Sequence, residues 1–160
     1  MSSIERVRAY LKQWNLDDKI MEFDVSSATV ELAAQALGVE GALIAKSLTF
    51  LVNDAPVMIV AAGDAKVDNA RFKAQFHTKA KMLSAAQCEE LIGHAVGGVC
   101  PFALNAGVQV YLDESLKRFA IVYPACGSSN SAIPLNMAQL EEVSGGTWID
   151  VCKGWREGEA

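Results

Sequence analysis

The chain has 160 residues, of which 51% are apolar and 21% are charged, and its net charge is −5. This length fits one globular domain with a full core, and the composition excludes a disordered chain. No apolar run reaches the roughly 18 residues of a membrane-spanning helix, and the acidic balance excludes a generally basic, nucleic-acid-coating protein. The charged N-terminal segment does not resemble a secretory signal, so we expect a soluble cytoplasmic protein with no membrane partner.

The first half of the chain predicts helices and strands in alternation, from capping residues, hydrophobic period and turn composition. In chain order we predict a helix from a Ser2–Glu5 capping box to about Trp14, a weak strand at 20–25, a helix capped by Thr29 and ended by Gly38, strands at 45–52 and 57–62 joined by a turn at 53–56, and a helix at 67–77 capped by Asp68.

The second half begins with another capping box and then a loop rich in glycine. Its predicted elements are a helix from Ser84 to about Gly93, a loop at 97–104, strands at 108–112, 119–123 and 132–135, a helix from Asn136 to Val143 stopped by glycines at 145–146, and a strand at 147–151. Hairpin-like pairs mixed with helical crossovers predict the α+β class, with a mixed sheet and flanking helices. We expect one domain at 1–152 and a polar tail at 153–160 that frays.

Several common catalytic and metal-binding patterns are absent from the chain. It contains no GxGxxG, no Walker loop, no HExxH and no GxSxG, and nothing marks a Ser-His-Asp triad. Its two histidines, His77 and His94, are too few for a His-rich metal site, and a mixed Cys-His-Asp site stays open although no diagnostic spacing marks one. His94 lies near the glycine loop and has two open roles, a pocket wall or a packing residue.

The four cysteines form no CxxC pair, so neither a zinc ribbon nor a disulfide scaffold is indicated. Cys88 and Cys126 lie in apolar surroundings and are predicted to be buried, reduced thiols. Cys100 differs because it lies inside the glycine-proline loop. It could be a nucleophile only with a lowered pKa and a neighbouring base, so we favour a place in the pocket wall.

The loop GGVCPFAL at 97–104 and the single lysine of IAKSLTFLV at 44–52 are the most informative features of the sequence. Gly97 and Gly98 make one end of the loop bare, and Pro101 stiffens the other. A rigid loop that offers backbone groups, together with one positive charge at Lys46, suits a small site for a polar or anionic ligand. The simpler alternatives are a lysine that snorkels from a sheet edge and a plain tight turn.

Basic residues are concentrated in one segment despite the acidic total. Five of them lie within residues 66–81, which hold one acid, Asp68. The segment is either a solvated helix face or a local patch for a phosphate backbone. The five are Lys66, Arg71, Lys73, Lys79 and Lys81.

Six segments, taken in order, resemble the YbaK/prolyl-tRNA-synthetase-associated domain family over roughly residues 20–145. The resemblance implies a barrel-like mixed sheet and deacylation of mischarged tRNA in trans, with no metal or organic cofactor. It implies a small amino acid of the alanine, serine or cysteine class, and the acceptor end of tRNA as partner, with or without a synthetase. The segments are TVELAAQALGVE, IAKSLTFLV, VMIVAAGD, GHAVGGVCPFAL, VQVYLDESL and ACGSSNSAIPL.

The resemblance also implies which residues form the site. The family lysine corresponds to Lys46 and the family GxxxP loop to Gly97–Pro101, so the implied catalytic residues are Lys46, Gly97, Gly98 and Pro101. The chain departs from some members at Cys100, where serine or threonine is frequent, and in GSSNSAI, which lacks a basic residue. Substrate binding is predicted for Thr29, Asp64, His94, Val99, Cys100, Phe102, Asp113, Gly127 and Ser128, although Thr29, Asp64 and Asp113 could equally be helix caps.

A second hypothesis gives the same pocket a different task. It would be a non-catalytic module that binds tRNA, a nucleotide or a partner protein, and regulates a synthetase or another assembly. Saturable binding without hydrolysis would distinguish this module from a deacylase.

Overall fold

The computed structural model describes residues 1–158, with five α-helices and ten β-strands. The helices are α1 (Ser3–Leu11), α2 (Val30–Leu37), α3 (Asn69–Phe76), α4 (Ala85–Gln87) and α5 (Met137–Ser144). The strands are β1 (Met21–Glu22), β2 (Ile44–Val52), β3 (Ala55–Ala62), β4 (Lys66–Val67), β5 (Gln109–Asp113), β6 (Ile121–Pro124), β7 (Ser131–Ala132), β8 (Leu135–Asn136), β9 (Thr147–Ile149) and β10 (Cys152–Lys153).

A curled, mixed six-stranded sheet forms the centre of the molecule, in the order β8-β6-β2-β3-β5-β9. The β2–β3 hairpin is antiparallel, whereas β6 joins β2 and β5 joins β3 in parallel. Residues 58–62 of β3 are fully buried, as expected for a central strand covered on both faces. The predicted α+β class with a barrel-like mixed sheet is confirmed.

An aromatic cluster fastens α3 to the sheet. The ring of Phe72 lies 5.0 Å from that of Phe50 in β2, and the ring of Phe76 lies 5.1 Å from that of Tyr111 in β5. These contacts, one tilted and one edge-to-face, add to the burial of both phenylalanines. The helix therefore holds β2 and β5 in a fixed relation.

The predicted helix caps are confirmed. The side chains of Thr29, Asp68, Ser84 and Asn136 each accept a hydrogen bond from a backbone N–H in the first turn of the following helix. Such caps are local, so the sequence alone was sufficient to find them.

Several predicted boundaries are wrong. The hairpin turn is only Asn53–Asp54, both with positive φ, so β3 begins at Ala55 rather than at residue 57. The strand predicted at 132–135 is two strands: β7 pairs with β1, β8 pairs with β6, and Pro134 lies between them. The helix predicted from residue 67 begins at Asn69, because residues 66–67 form β4.

The chain does not fray at Lys153 as expected. Lys153 belongs to β10 and pairs with Lys66 of β4. Beyond it, Trp155 donates from its indole N–H to the carbonyl of Cys152 and lies between two arginine side chains, Arg118 and Arg156. Among residues 1–158, no helix is long and apolar enough to cross a lipid bilayer.

Candidate functional site

Lys46 lies in β2 with its side chain held by backbone carbonyls just beyond the end of β3. Its Nζ donates to the carbonyl of Gly63 at 3.2 Å and also to that of Ala65. Burial lowers the pKa of Lys46, while the nearby Cys152 and Asp64 oppose this shift. An ammonium group has three N–H donors, so one remains for a ligand.

A half-open cavity of about 270 Å³ lies against Lys46. Its walls come from the edge of β2, the start of α2, the glycine loop, and residues near β6 and β7. Four of the predicted site residues line it, namely Thr29, Lys46, Gly97 and Val99. The structure thus brings the lysine and the first glycine of the loop to one place.

The two adjacent glycines of the loop have different environments. Gly97 has a φ of +98° and faces the cavity. Gly98 is buried, and its N–H already donates to the carbonyl of Ala95 at 3.0 Å. A Cβ on Gly98 would lie 2.6 Å from the backbone of Gly127, and one on Gly127 would lie 2.9 Å from that of Ser3. Gly98 and Gly127 therefore permit close backbone packing beneath the site rather than contact with a ligand.

Cys100 lies in the core rather than in the cavity wall. Its side chain is fully buried, and burial raises the pKa of the thiol to about 12, which makes it a poor nucleophile. Its Sγ lies 3.6 Å from Nε2 of His94, which is 2.8 Å from the carbonyl oxygen of Phe102. Because a carbonyl oxygen can only accept a hydrogen bond, Nε2 of His94 carries the hydrogen. Burial lowers the pKa of His94. Along with Pro101, these residues form the packed underside of the loop.

Asp64 is engaged by an arginine outside the cavity. Its carboxylate oxygens accept hydrogen bonds from Arg118 at 2.9 and 2.6 Å, and chiefly these bonds hold the pKa of Asp64 below its usual value. Asp64 lies between Gly63 and Ala65, whose carbonyls hold Lys46. The ion pair thus fixes the turn that positions the lysine.

Asp113 and Ser128 also lie away from the cavity lining. Asp113 is fully buried and accepts from the N–H groups of Ser115, at 2.9 Å, and Val151, at 3.0 Å, which ties the end of β5 to the C-terminal segment. Ser128 donates to the hydroxyl of Ser131 at 2.8 Å, and Ser131 does line the cavity. Asp113 thus supports neighbouring backbone, and Ser128 holds the side chain of a cavity-lining residue.

Sequence reasoning missed several cavity residues. Met82 and Val96 line its mouth with 60% and 66% of their surfaces exposed, and Tyr123 and Ser47 form other parts of the wall. A local pattern could have indicated Ser47, which follows Lys46 directly, and Val96, which precedes Gly97 directly. Met82 reaches the cavity through long-range packing, which leaves no signature in the sequence.

Titratable side chains other than Lys46 are scarce in the lining. The lining contains no carboxylate and no imidazole within residues 1–158. In the same part of the chain, no three His, Cys, Asp or Glu side chains form a group that could hold a metal ion.

A sequence model of the aminoacyl-tRNA editing domain family matches residues 24–143, which include every residue that lines the cavity. The uncharacterized protein YwhH of Bacillus subtilis (strain 168) is 52% identical over 155 residues, which cover 96% of this chain and 99% of YwhH. A proline–tRNA ligase of Lysinibacillus sphaericus (strain C3-41) is 31% identical over 90 residues, 56% of this chain but only 16% of the ligase. A solved structure described as a candidate trans-editing enzyme for prolyl tRNA synthetase is 27% identical, with a TM-score of 0.87, and the match covers 96% of this chain and 99% of that one.

Proposed function

Because this chain belongs to the aminoacyl-tRNA editing domain family, we propose that it hydrolyses, in trans, the ester between tRNA and a wrongly attached small amino acid. The observation that carries the proposal is the cavity in which the Lys46 ammonium and the bare backbone of Gly97 meet. We propose alanine, serine or cysteine as the amino acid removed, on the resemblance of the sequence to this family.

The proposed reaction needs positioning more than a strong protein nucleophile, because an aminoacyl ester is already activated. Water attacks the ester carbonyl carbon, the bond from that carbon to the ribose oxygen breaks, and the ribose oxygen takes a proton. The free N–H of Lys46 binds a ribose or phosphate oxygen of the terminal adenosine. For serine or cysteine the substrate side chain is an alternative nucleophile, which suits a lining without carboxylate or imidazole.

We propose that the tRNA reaches the cavity along the basic segment, residues 66–81. Residues 81–83 lie beside β2, where the N–H of Leu51 donates to the carbonyl of Lys81 at 2.9 Å, and Met82 reaches the cavity mouth. Lys79 and Lys81 are exposed, and Lys81 directly precedes Met82 in the chain. A phosphate backbone leaving the cavity would pass them. With a net charge of −5 the affinity should be weak, so a synthetase that delivers the tRNA is a fitting partner.

The proposal is tested with purified protein and a panel of mischarged tRNAs. We expect release of the amino acid from at least one alanyl, seryl or cysteinyl ester, and loss of that activity in Lys46→Ala. Saturable binding of tRNA or adenosine without hydrolysis of any ester would instead support the non-catalytic module.

A further inference from the structure

The strand edge that borders the cavity is interrupted at Ser47. Strand β6 pairs with this edge of β2 only as far as Ala45, which lies opposite Pro124. Further along the same edge, the N–H of Leu83 donates to the carbonyl of Thr49 at 3.1 Å. Between Ala45 and Thr49, a stretch of about 13 Å at normal strand rise, no neighbouring strand is paired with β2 on this side.

The register determines which backbone groups face this gap. Val52 and Ala55 flank the two-residue turn and form a hydrogen-bonded pair, so every second residue back along β2 bonds to β3. The residues between, which include Ser47 and Thr49, present their N–H and C=O groups to the opposite edge. The bond between Thr49 and Leu83 agrees with this assignment.

Ser47 therefore presents two backbone polar groups to the site. Its N–H and C=O face the gap, and neither has a partner in the strand pairing or in the other backbone hydrogen bonds of residues 1–158. Its Oγ is buried and also has no partner within that part of the chain. Ser47 lines the cavity. Polar groups left unpaired in a protein wall lose free energy unless water or a ligand satisfies them.

The shape of the gap limits what can occupy it. Both ends are closed, by β6 on one side and residues 81–83 on the other, so an added peptide strand does not fit. A residue in a hydrogen-bonded strand pair exchanges one N–H···O bond in each direction with the residue opposite. A single aminoacyl group carries the same two functions on either side of one Cα, an ammonium donor and an ester carbonyl acceptor.

We propose that Ser47 is the residue that binds the aminoacyl group of the substrate, in the place of a missing strand residue. The carbonyl of Ser47 accepts from the α-ammonium group, and the N–H of Ser47 donates to the ester carbonyl oxygen. This inference rests on the proposed function and adds to it the element that recognises the substrate.

Two consequences follow from this arrangement. The N–H of Ser47 bonds the oxygen on which negative charge develops during hydrolysis, so it stabilises the transition state as well as the bound ester. Backbone groups read only what all aminoacyl esters share. Choice among amino acids is then left to the rest of the wall, whereas esters without an α-ammonium group are rejected.

The first experiment compares two nearly isosteric substrates, the alanyl and the lactyl ester of the same tRNA or of adenosine. The lactyl ester replaces the ammonium by a neutral hydroxyl group, and a charge-assisted bond to a carbonyl is thereby weakened. We expect kcat/KM for the lactyl ester to be lower by about tenfold or more, after subtraction of spontaneous hydrolysis. Equal values for the two esters would overturn the assignment of Ser47 while the proposed function remains.

The second experiment observes Ser47 directly. A non-hydrolysable analogue, 3′-alanylamino-3′-deoxyadenosine, is titrated into ¹⁵N-labelled protein until deacylation is fully inhibited. We expect the Ser47 amide signal to move to low field and its hydrogen exchange to slow. An unchanged Ser47 amide at full inhibition, with shifts confined to other amides such as Thr49, would contradict the assignment. Failure of the wild-type protein to cleave any ester would refute the proposed function, and this inference with it.

Discussion

Removing the ammonium group of Lys46 is the sharpest single perturbation of the proposed site. Lys46→Met keeps most of the aliphatic stem and removes the bonds to Gly63 and Ala65 together with the donor left for the substrate. Bonds to charged groups are worth about 1.5–3 kcal/mol each. The burial that lowers the pKa of Lys46 shows that holding this charge also costs free energy, so much of the gain is offset.

The expected effects on stability and activity therefore differ in size. The released carbonyl of Gly63 can be hydrated again, whereas that of Ala65, a fully buried residue, loses its partner, so we expect a net loss of about 1–2 kcal/mol, or about 2–8 °C in Tm for a chain of this length. Without the one charged hydrogen bond from Lys46 to the transition state, deacylation should be slower by about 10- to 150-fold. Lys46→Met should thus remain folded, with a moderately lower Tm, while losing most of its activity.

Thermal melts and single-turnover deacylation under the same conditions provide the test. Lys19→Met is the control: it removes an exposed lysine, changes the net charge by the same amount, and should leave both measurements unchanged. Full activity in Lys46→Met would show that the ammonium group takes no part in the reaction. A Tm that collapses together with activity would show that Lys46 serves the fold instead.

Four further predictions concern pH, packing, the thiol and salt. Because the folded pKa of Lys46 lies below the ordinary value of 10.5, wild-type activity should fall on an alkaline limb that begins below that pH, and a Lys46 variant should lack the limb; an unchanged profile in the variant would contradict this. Gly98→Ala should destabilise the fold by about 2 kcal/mol or more, measured by urea unfolding, because its Cβ would overlap the backbone at 2.6 Å; a wild-type midpoint would show that the loop adapts. Cys100 should resist iodoacetamide at pH 8 in the native protein, and Cys100→Ala should still deacylate; rapid alkylation would mean that the loop opens. Neutralising Lys79 and Lys81 should weaken tRNA binding and flatten its salt dependence, with little change for an adenosine ester; an unaltered salt slope would leave the two lysines as solvated surface.

The parts of the fold that the sequence predicted are those governed by local chemistry. Thr29 and Asp68 cap helices because their side chains reach N–H groups only two or three residues away. Lys46 was identified because a single cation inside an apolar strand is unusual. The family that the sequence resembles has both the lysine strand and the glycine loop in its site, which predicted that Gly97 lies near Lys46, and both residues line the cavity.

The parts that escaped prediction depend on contacts between distant segments. Nothing near Asp64 in the chain indicates Arg118, which lies 54 residues away and occupies its carboxylate. Cys100 shares a loop with Gly97, but the side chain turns into the core, where only the packed structure shows its burial. The open edge at Ser47 arises because β6 and residues 81–83 stop short of each other, which no single segment encodes.

The central claim is that this cavity hydrolyses the ester of an aminoacyl-tRNA. Its most direct test uses tRNAs that wrongly carry alanine, serine or cysteine. The rate at which purified protein releases the amino acid is compared with the rate of spontaneous hydrolysis in the same buffer. We expect clear acceleration for at least one of these esters, and its loss in Lys46→Met. Rates equal to spontaneous hydrolysis for every ester, with a protein shown to be folded, would contradict it.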